Sequence, residues 1–169
     1  MGMSIAQSML PEFDQEMANT RKVLARLPDD KFAWKPHDKS MSLGQLANHI
    51  AHMATWGALT LEQSTFDVAP VGAPPVVTPK ATSAPEVLEH FDAGAKKFRA
   101  LLAEASDAAL QEDWSLLMGG TAIMTMPRSA VLRSMVLNHI IHHRAQLTVY
   151  YRLNDIPVPG LYGPSADEK

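Results

Sequence analysis

Four stretches of this chain repeat their apolar residues every three or four positions, a period that commits most of the sequence to helices with one buried stripe each. From about Ser4 the first stripe runs Met9, Phe13, Met17, Thr20, Leu24 and Leu27, and Pro28 stops it. The second starts at Ser42, where Ser42-Leu-Gly-Gln45 has the form of a capping box, and runs Leu46, His49, Met53, Trp56 and Thr60 to about Ser64. Ser83-Ala-Pro-Glu86 has the same form and opens the third, with Leu88, Phe91, Ala95, Phe98 and Leu102 fading near Ser106. In the fourth, Pro127 suits a first helical turn, and Leu132, Met135, His139, His143, Gln146 and Tyr150 follow to about Leu153.

The connections differ in kind. Between Thr65 and Thr82, Pro70, Gly72, Pro74, Pro75 and Pro79 rule out helix and predict a long crossover. Residues Asp107 to Thr125 hold Trp114, Leu116, Leu117 and the pair Gly119-Gly120, which predicts an irregular or short hairpin connection packed on the helices. After Asn154, Pro157, Pro159, Gly160, Gly163 and Pro164 predict an extended tail over 154–169. The expectation is therefore one domain over 1–169: an all-α four-helix bundle, with a long crossover between helices two and three and no strands.

Composition removes several classes of function. A net charge of -3 and a pI near 6.1 leave no Lys/Arg excess for phosphate backbones, so nucleic acid is not an expected partner. The absence of Cys excludes disulfides and thiolate ligands, and any nucleophilic thiol must come with the substrate. Met1-Gly2-Met3-Ser4 lacks a basic region followed by an apolar run, and no apolar stretch approaches the ~20 residues of a membrane span. No membrane association and a cytoplasmic location are expected. The 10 methionines, scattered at helical spacing, suit adaptable core filling better than a soft-metal site.

Five of the seven histidines fall on helices two and four. His139 and His143 lie four apart, ~6 Å along a helix and ~40° around it, so both imidazoles can face one ion. Burying two imidazoles without partners costs about 1–3 kcal/mol each, a cost that a metal removes. A third nitrogen comes from His49 on the facing helix or from His52, one turn on; the competing reading makes His49 an ordinary hydrogen-bonded core residue. His142 lies ~100° around from His143 and points to a neighbouring helix or to solvent. His37 and His90 stand alone and suit surface or local capping roles. Three protein ligands with one open position are the arrangement of a catalytic zinc rather than a structural one.

Other catalytic patterns fail. Ile140 occupies the position where H-E-x-x-H needs its glutamate, and no G-x-S-x-G elbow occurs. Glu16 reads as a solvated helix residue. A substrate pocket is expected beside the ion at the bundle end, flanked by Trp56, Trp34 or the loop around Trp114. Arg144, next to His143, is a candidate for binding an anionic substrate group, or else a surface salt-bridge partner. No side chain is singled out as the catalytic group; the nucleophile would be a thiol or water activated by the ion.

Several runs of the chain resemble one family: Trp34-Lys-Pro36, the stretch Lys39 to His49, Asn138-His-Ile-Ile-His-His-Arg-Ala-Gln146, and Leu153 to Pro164. Together they are similar to the DinB-like family of damage-inducible, YfiT-type proteins, which is unrelated to the DNA polymerase of the same name. The resemblance implies a four-helix bundle, commonly a homodimer, whose three histidines bind a divalent ion, often zinc or nickel; by position these are His49, His139 and His143. Ala145 departs from the glycine common in relatives after the paired histidines, and no ligand is missing. Similar members include transferases and isomerases that use low-molecular-weight thiols. The resemblance thus implies a metal-dependent protein activating a thiol or water for a small-molecule substrate, of the thiol-dependent S-transferase type. Metal-dependent hydrolysis and a non-catalytic, stress-related metal-binding role are the alternatives.

Overall fold

Serines open the first three long helices. In the computed structural model, which describes residues 2–74 and 80–168, Ser4 and Gln7 form a reciprocal capping box at the start of α1 (Ile5–Leu24). Ser42 and Gln45 do the same for α2 (Leu43–Glu62). At α3 (Ala84–Glu104) only half of the expected box forms: Ser83 accepts from the Glu86 amide, but the Glu86 carboxylate accepts from the Thr82 amide at 2.6 Å. A short α4 (Asp107–Gln111) follows. The last long helix is composite: α5 (Arg128–Val131), a π-helical segment Leu132–Leu137, and α6 (Asn138–Arg152).

Helices α1 and α2 each pack against α3 and α6, so the four long helices enclose one core with α1 and α2 on a diagonal. The stretch 63–83 therefore joins neighbours, and it is residues 25–42 and 105–127 that cross the bundle. Pro75 and Pro79 of the expected crossover lie outside the described residues. Helices α2 and α3 approach closely because Gly57 lies under the Phe98 ring; a Cβ there would come within 2.3 Å of ring carbons.

Strands were not expected, yet three form a small sheet: β1 (Thr65–Asp67), parallel to β2 (Asp113–Met118), which pairs antiparallel with β3 (Thr121–Pro127). The expected hairpin is the β2–β3 pair. Its turn is Gly119-Gly120, with φ of 61° and 78°, the left-handed backbone that a two-residue turn of this kind requires. A register shift between Leu116 and Leu117 leaves Ile123 as an extra residue on β3. The Asp67 carboxylate accepts from the Gly119 and Gly120 amides at 3.1 and 2.7 Å, tying β1 to the turn; against desolvation, the Ala69 amide at 3.0 Å and then these two hold its pKa down. Pro127 ends β3 just before α5 instead of sitting in the first helical turn.

The tail has no helix, as its prolines predict, but it is anchored. Ile156, Val158 and Leu161 pack on the core, Arg152 pairs with Asp167 at 2.7 Å, and Arg26 pairs with Glu168. Among the described residues, no helix is long and apolar enough to cross a membrane.

Candidate metal centre

On α6 the buried positions are Ile140, Arg144, Leu147 and Tyr151, continuing Leu132 and Val136 of the preceding turns. Each lies one residue beyond the stripe expected from the sequence, except Leu132. Three successive steps of four residues would carry a regular α-helix ~120° off its face. The π turn, in which the Asn138 amide donates to the Arg133 carbonyl five residues back, takes up part of that rotation. His139 and His143 are consequently left at the flank of the core, half-buried and facing α2 across a wedge that His49 enters.

The three rings converge. His49 Nε2 lies 3.2 Å from His139 Nε2, which lies 2.8 Å from His143 Nε2, and the three ligand atoms all fall within 4.8 Å of one another. Ring centroids are 4.6–5.0 Å apart. Nitrogens bound to one tetrahedral zinc at 2.0–2.1 Å stand about 3.3 Å apart; two of the separations here are 3.2 and 2.8 Å and all lie within 4.8 Å, the scale of a tris-imidazole ligand set.

Protons at the far side of two rings make this arrangement informative. The Met135 carbonyl accepts from His139 Nδ1 at 3.3 Å, and Gln146 Oε1 accepts from His143 Nδ1 at 2.7 Å. With Nδ1 of each ring donating, both Nε2 atoms present lone pairs to each other at 2.8 Å, which is repulsive unless a cation or an extra proton lies between them. An extra proton is opposed at two of the three rings. Desolvation, then the neighbouring imidazoles, lower the His49 pKa to about 4, and desolvation first of all lowers that of His143. The donor set fits a divalent ion. Among the described residues no carboxylate or fourth histidine joins the group.

His49 also lines a cleft of about 700 Å³ with His52, Phe32, Met41, Lys80 and Ala81, the size of a small-molecule site. The cleft is bounded by the segment before α2, the first turns of α2 and the chain at residues 80–82.

A family model for the DinB family matches residues 1–169. The chain belongs to the DinB family. The uncharacterized protein YrdA of Bacillus subtilis strain 168 is 29% identical over 160 residues, 94% of this chain and 89% of its own length. A DinB-like crystal structure from Bacillus cereus ATCC 10987 superposes with a TM-score of 0.73 at 26% identity, covering 96% of this chain and all of its own. That of the Bacillus subtilis DinB-like protein YjoA gives 0.68 at 17% identity over 93% of this chain and 98% of its own, a likeness of fold.

In this DinB-family chain, His52 is half-buried against the Trp56 ring, one turn from the convergence, and lies outside the three-histidine group. His142 is exposed with its ring 4.9 Å from that of His143. His37 takes the local role expected of it, its Nδ1 accepting from the Lys39 amide at 3.1 Å.

The residues expected around the substrate are placed differently. Trp56 packs on Phe66 and does not line the cleft; Trp34 packs edge-on against Tyr150, and Trp114 is buried in the interior. Arg144 is neither a surface residue nor a cleft residue: it is 1% exposed and pairs with Glu16 at 2.6 Å. Its guanidinium also donates to the Glu16 carbonyl and the Thr20 hydroxyl, and the Tyr162 hydroxyl donates to the Glu16 carboxylate. Glu16 is accordingly a buried acid rather than a solvated one, because Arg144 and Tyr162 satisfy it. The sequence reading assigned no role to Gln146, although its three-residue spacing from His143 is the available signal. It missed the Met135 carbonyl, for which the sequence carries no signal.

Proposed function

We propose that this DinB-family protein binds one divalent ion, zinc or nickel, through His49, His139 and His143. With it, the protein activates a low-molecular-weight thiol or a water toward a small-molecule substrate, in the manner of a thiol-dependent S-transferase. The observation that carries the reading is the pair of Nε2 lone pairs facing each other beside His49 Nε2, with Nδ1 of both α6 rings held as donors. When bound, the ion lowers the pKa of a coordinated thiol or water so that it is nucleophilic near neutral pH. Gln146 and Met135 fix the tautomers and ring orientations of His143 and His139, the role that acceptors behind metal-binding histidines commonly play. His49 is shared with the cleft, so an ion held by the three rings would adjoin a space whose surface is largely apolar. The thiol in this reading is a cosubstrate, since the chain has no Cys of its own.

Elemental analysis of untagged protein tests the metal. Near one equivalent in wild type, lost in His139→Ala, is expected; no bound metal after addition of zinc, nickel or manganese would overturn the reading. A panel of thiols and electrophiles on the loaded protein tests the chemistry, and failure with every pair would remove the transferase assignment. The same reading has the protein as a homodimer in the cytoplasm, the dimer being checked by light scattering.

A further inference from the structure

The cleft beside His49 has an unusual inventory of polar groups. Ser42 and Gln45 line it, and their side-chain oxygens accept within the α2 capping box. Asn48 donates to the Gly44 and Ala81 carbonyls at 2.9 Å and accepts from the Ala81 amide at 2.8 Å, which clamps the chain at residue 81 onto α2 and uses every strong bond the amide can make on that side. The Thr82 hydroxyl donates to Glu86. Beside the His49 and His52 rings, the space is lined by apolar surface from Phe32, Met41 and Ala81 and by one charged side chain, Lys80. No carboxylate lines the cleft, and among the described residues none pairs with Lys80. His49, which lines the cleft, belongs to a group of three imidazoles with no carboxylate among them, so an ion held there keeps its full positive charge.

We propose that the cleft selects an amphipathic anion: a small molecule with an apolar body against Phe32 and Met41, a carboxylate held by Lys80, and a donor atom turned toward His49, His139 and His143. This inference rests on the proposed metal site and adds the class of molecule that the site receives. Lys80 and an ion at His49, in one cleft whose surface is largely apolar, attract a ligand that carries negative charge on an apolar body. A neutral or cationic analogue leaves Lys80 unanswered.

The test uses untagged, zinc-loaded protein and calorimetric titration with three probes: ω-mercaptohexanoate, ω-mercaptohexanol and mercaptoacetate. The carboxylate is expected to bind about three- to fivefold tighter than the alcohol, the size of one solvent-exposed ion pair, with the preference abolished in Lys80→Gln and reduced by added salt. Mercaptoacetate, which has almost no apolar body to set against Phe32 and Met41, is expected to bind more weakly than either. Equal affinities for acid and alcohol in wild type, or a preference that survives Lys80→Gln, would overturn the inference while leaving the metal site standing, since both thiols still bind. Mercaptoacetate as tight as mercaptohexanoate would overturn the apolar body. Protein that carries one equivalent of zinc yet binds no probe would overturn the inference and the open coordination position together, and protein without zinc would overturn the metal reading itself.

Discussion

At His49, burial and two adjacent imidazoles act in the same direction, and the ring stays neutral down to about pH 4. An unfolded chain binds that proton near the ordinary histidine pKa of about 6.5. Between those values the unfolded state holds more protons than the folded one, so stability is fully present above about pH 6.5 and is lost as pH falls toward 4. His143, whose pKa is lowered by desolvation first, adds to the slope in the same direction. Thermal melts of chelator-treated protein should therefore fall in Tm across this window, and His49→Gln, which removes the titrating ring, should flatten the fall. An unchanged slope in the variant would place the pH dependence elsewhere.

Helices α2 and α3 owe their closeness to an absent side chain. The Phe98 ring that covers Gly57 has no room to retreat: it is fully buried and stacks edge-on against Phe13 at a centroid distance of 4.8 Å. Gly57→Ala is expected to destabilise by about 1–3 kcal/mol, the usual cost of overpacking, despite alanine's higher helix propensity. Urea unfolding with an unchanged m-value is the measurement, and a stabilised variant would contradict the geometry. The helices themselves were plain in the sequence because a 3.6-residue period and a serine cap are local signals. The phase of the last one was not. Its π turn moves the buried stripe onto Ile140, Arg144 and Leu147, and nothing in Leu132 to Leu137 marks a turn held open by packing on the rest of the bundle.

Across the whole molecule, one polar network joins parts of the chain that are far apart in sequence. Arg144 of α6, Glu16 and Thr20 of α1, and Tyr162 of the tail meet inside the bundle, with Arg144 and Glu16 at 1% and 5% exposure. Removing one partner of such a pair strands the other charge without water. Arg144→Met is expected to cost about 3–5 kcal/mol in urea unfolding while the folded fraction keeps its metal stoichiometry, since Arg144 belongs to no part of the imidazole group. Loss of bound metal without loss of stability would instead return Arg144 to the site.

Sequence alone determined the four long helices, the helix-free tail and that His139 and His143 share a helix face, and it offered the Gly119-Gly120 hairpin as one of two alternatives, all consequences of spacing within about ten residues. His49 was named as third candidate ligand through family resemblance, for spacing left His49 and His52 as alternatives; the tertiary structure brings His49, and not His52, into the group, 3.2 Å from His139. It also decided that Arg144 and Glu16 are interior, that β1 joins the hairpin in a sheet, and that the cleft lies at Phe32, Met41 and Lys80 rather than at the tryptophans. The physical reason is common to all of these. A charge is buried, a strand paired or a ring turned toward two others by partners 40 to 150 residues away, and no local periodicity records which partners those will be.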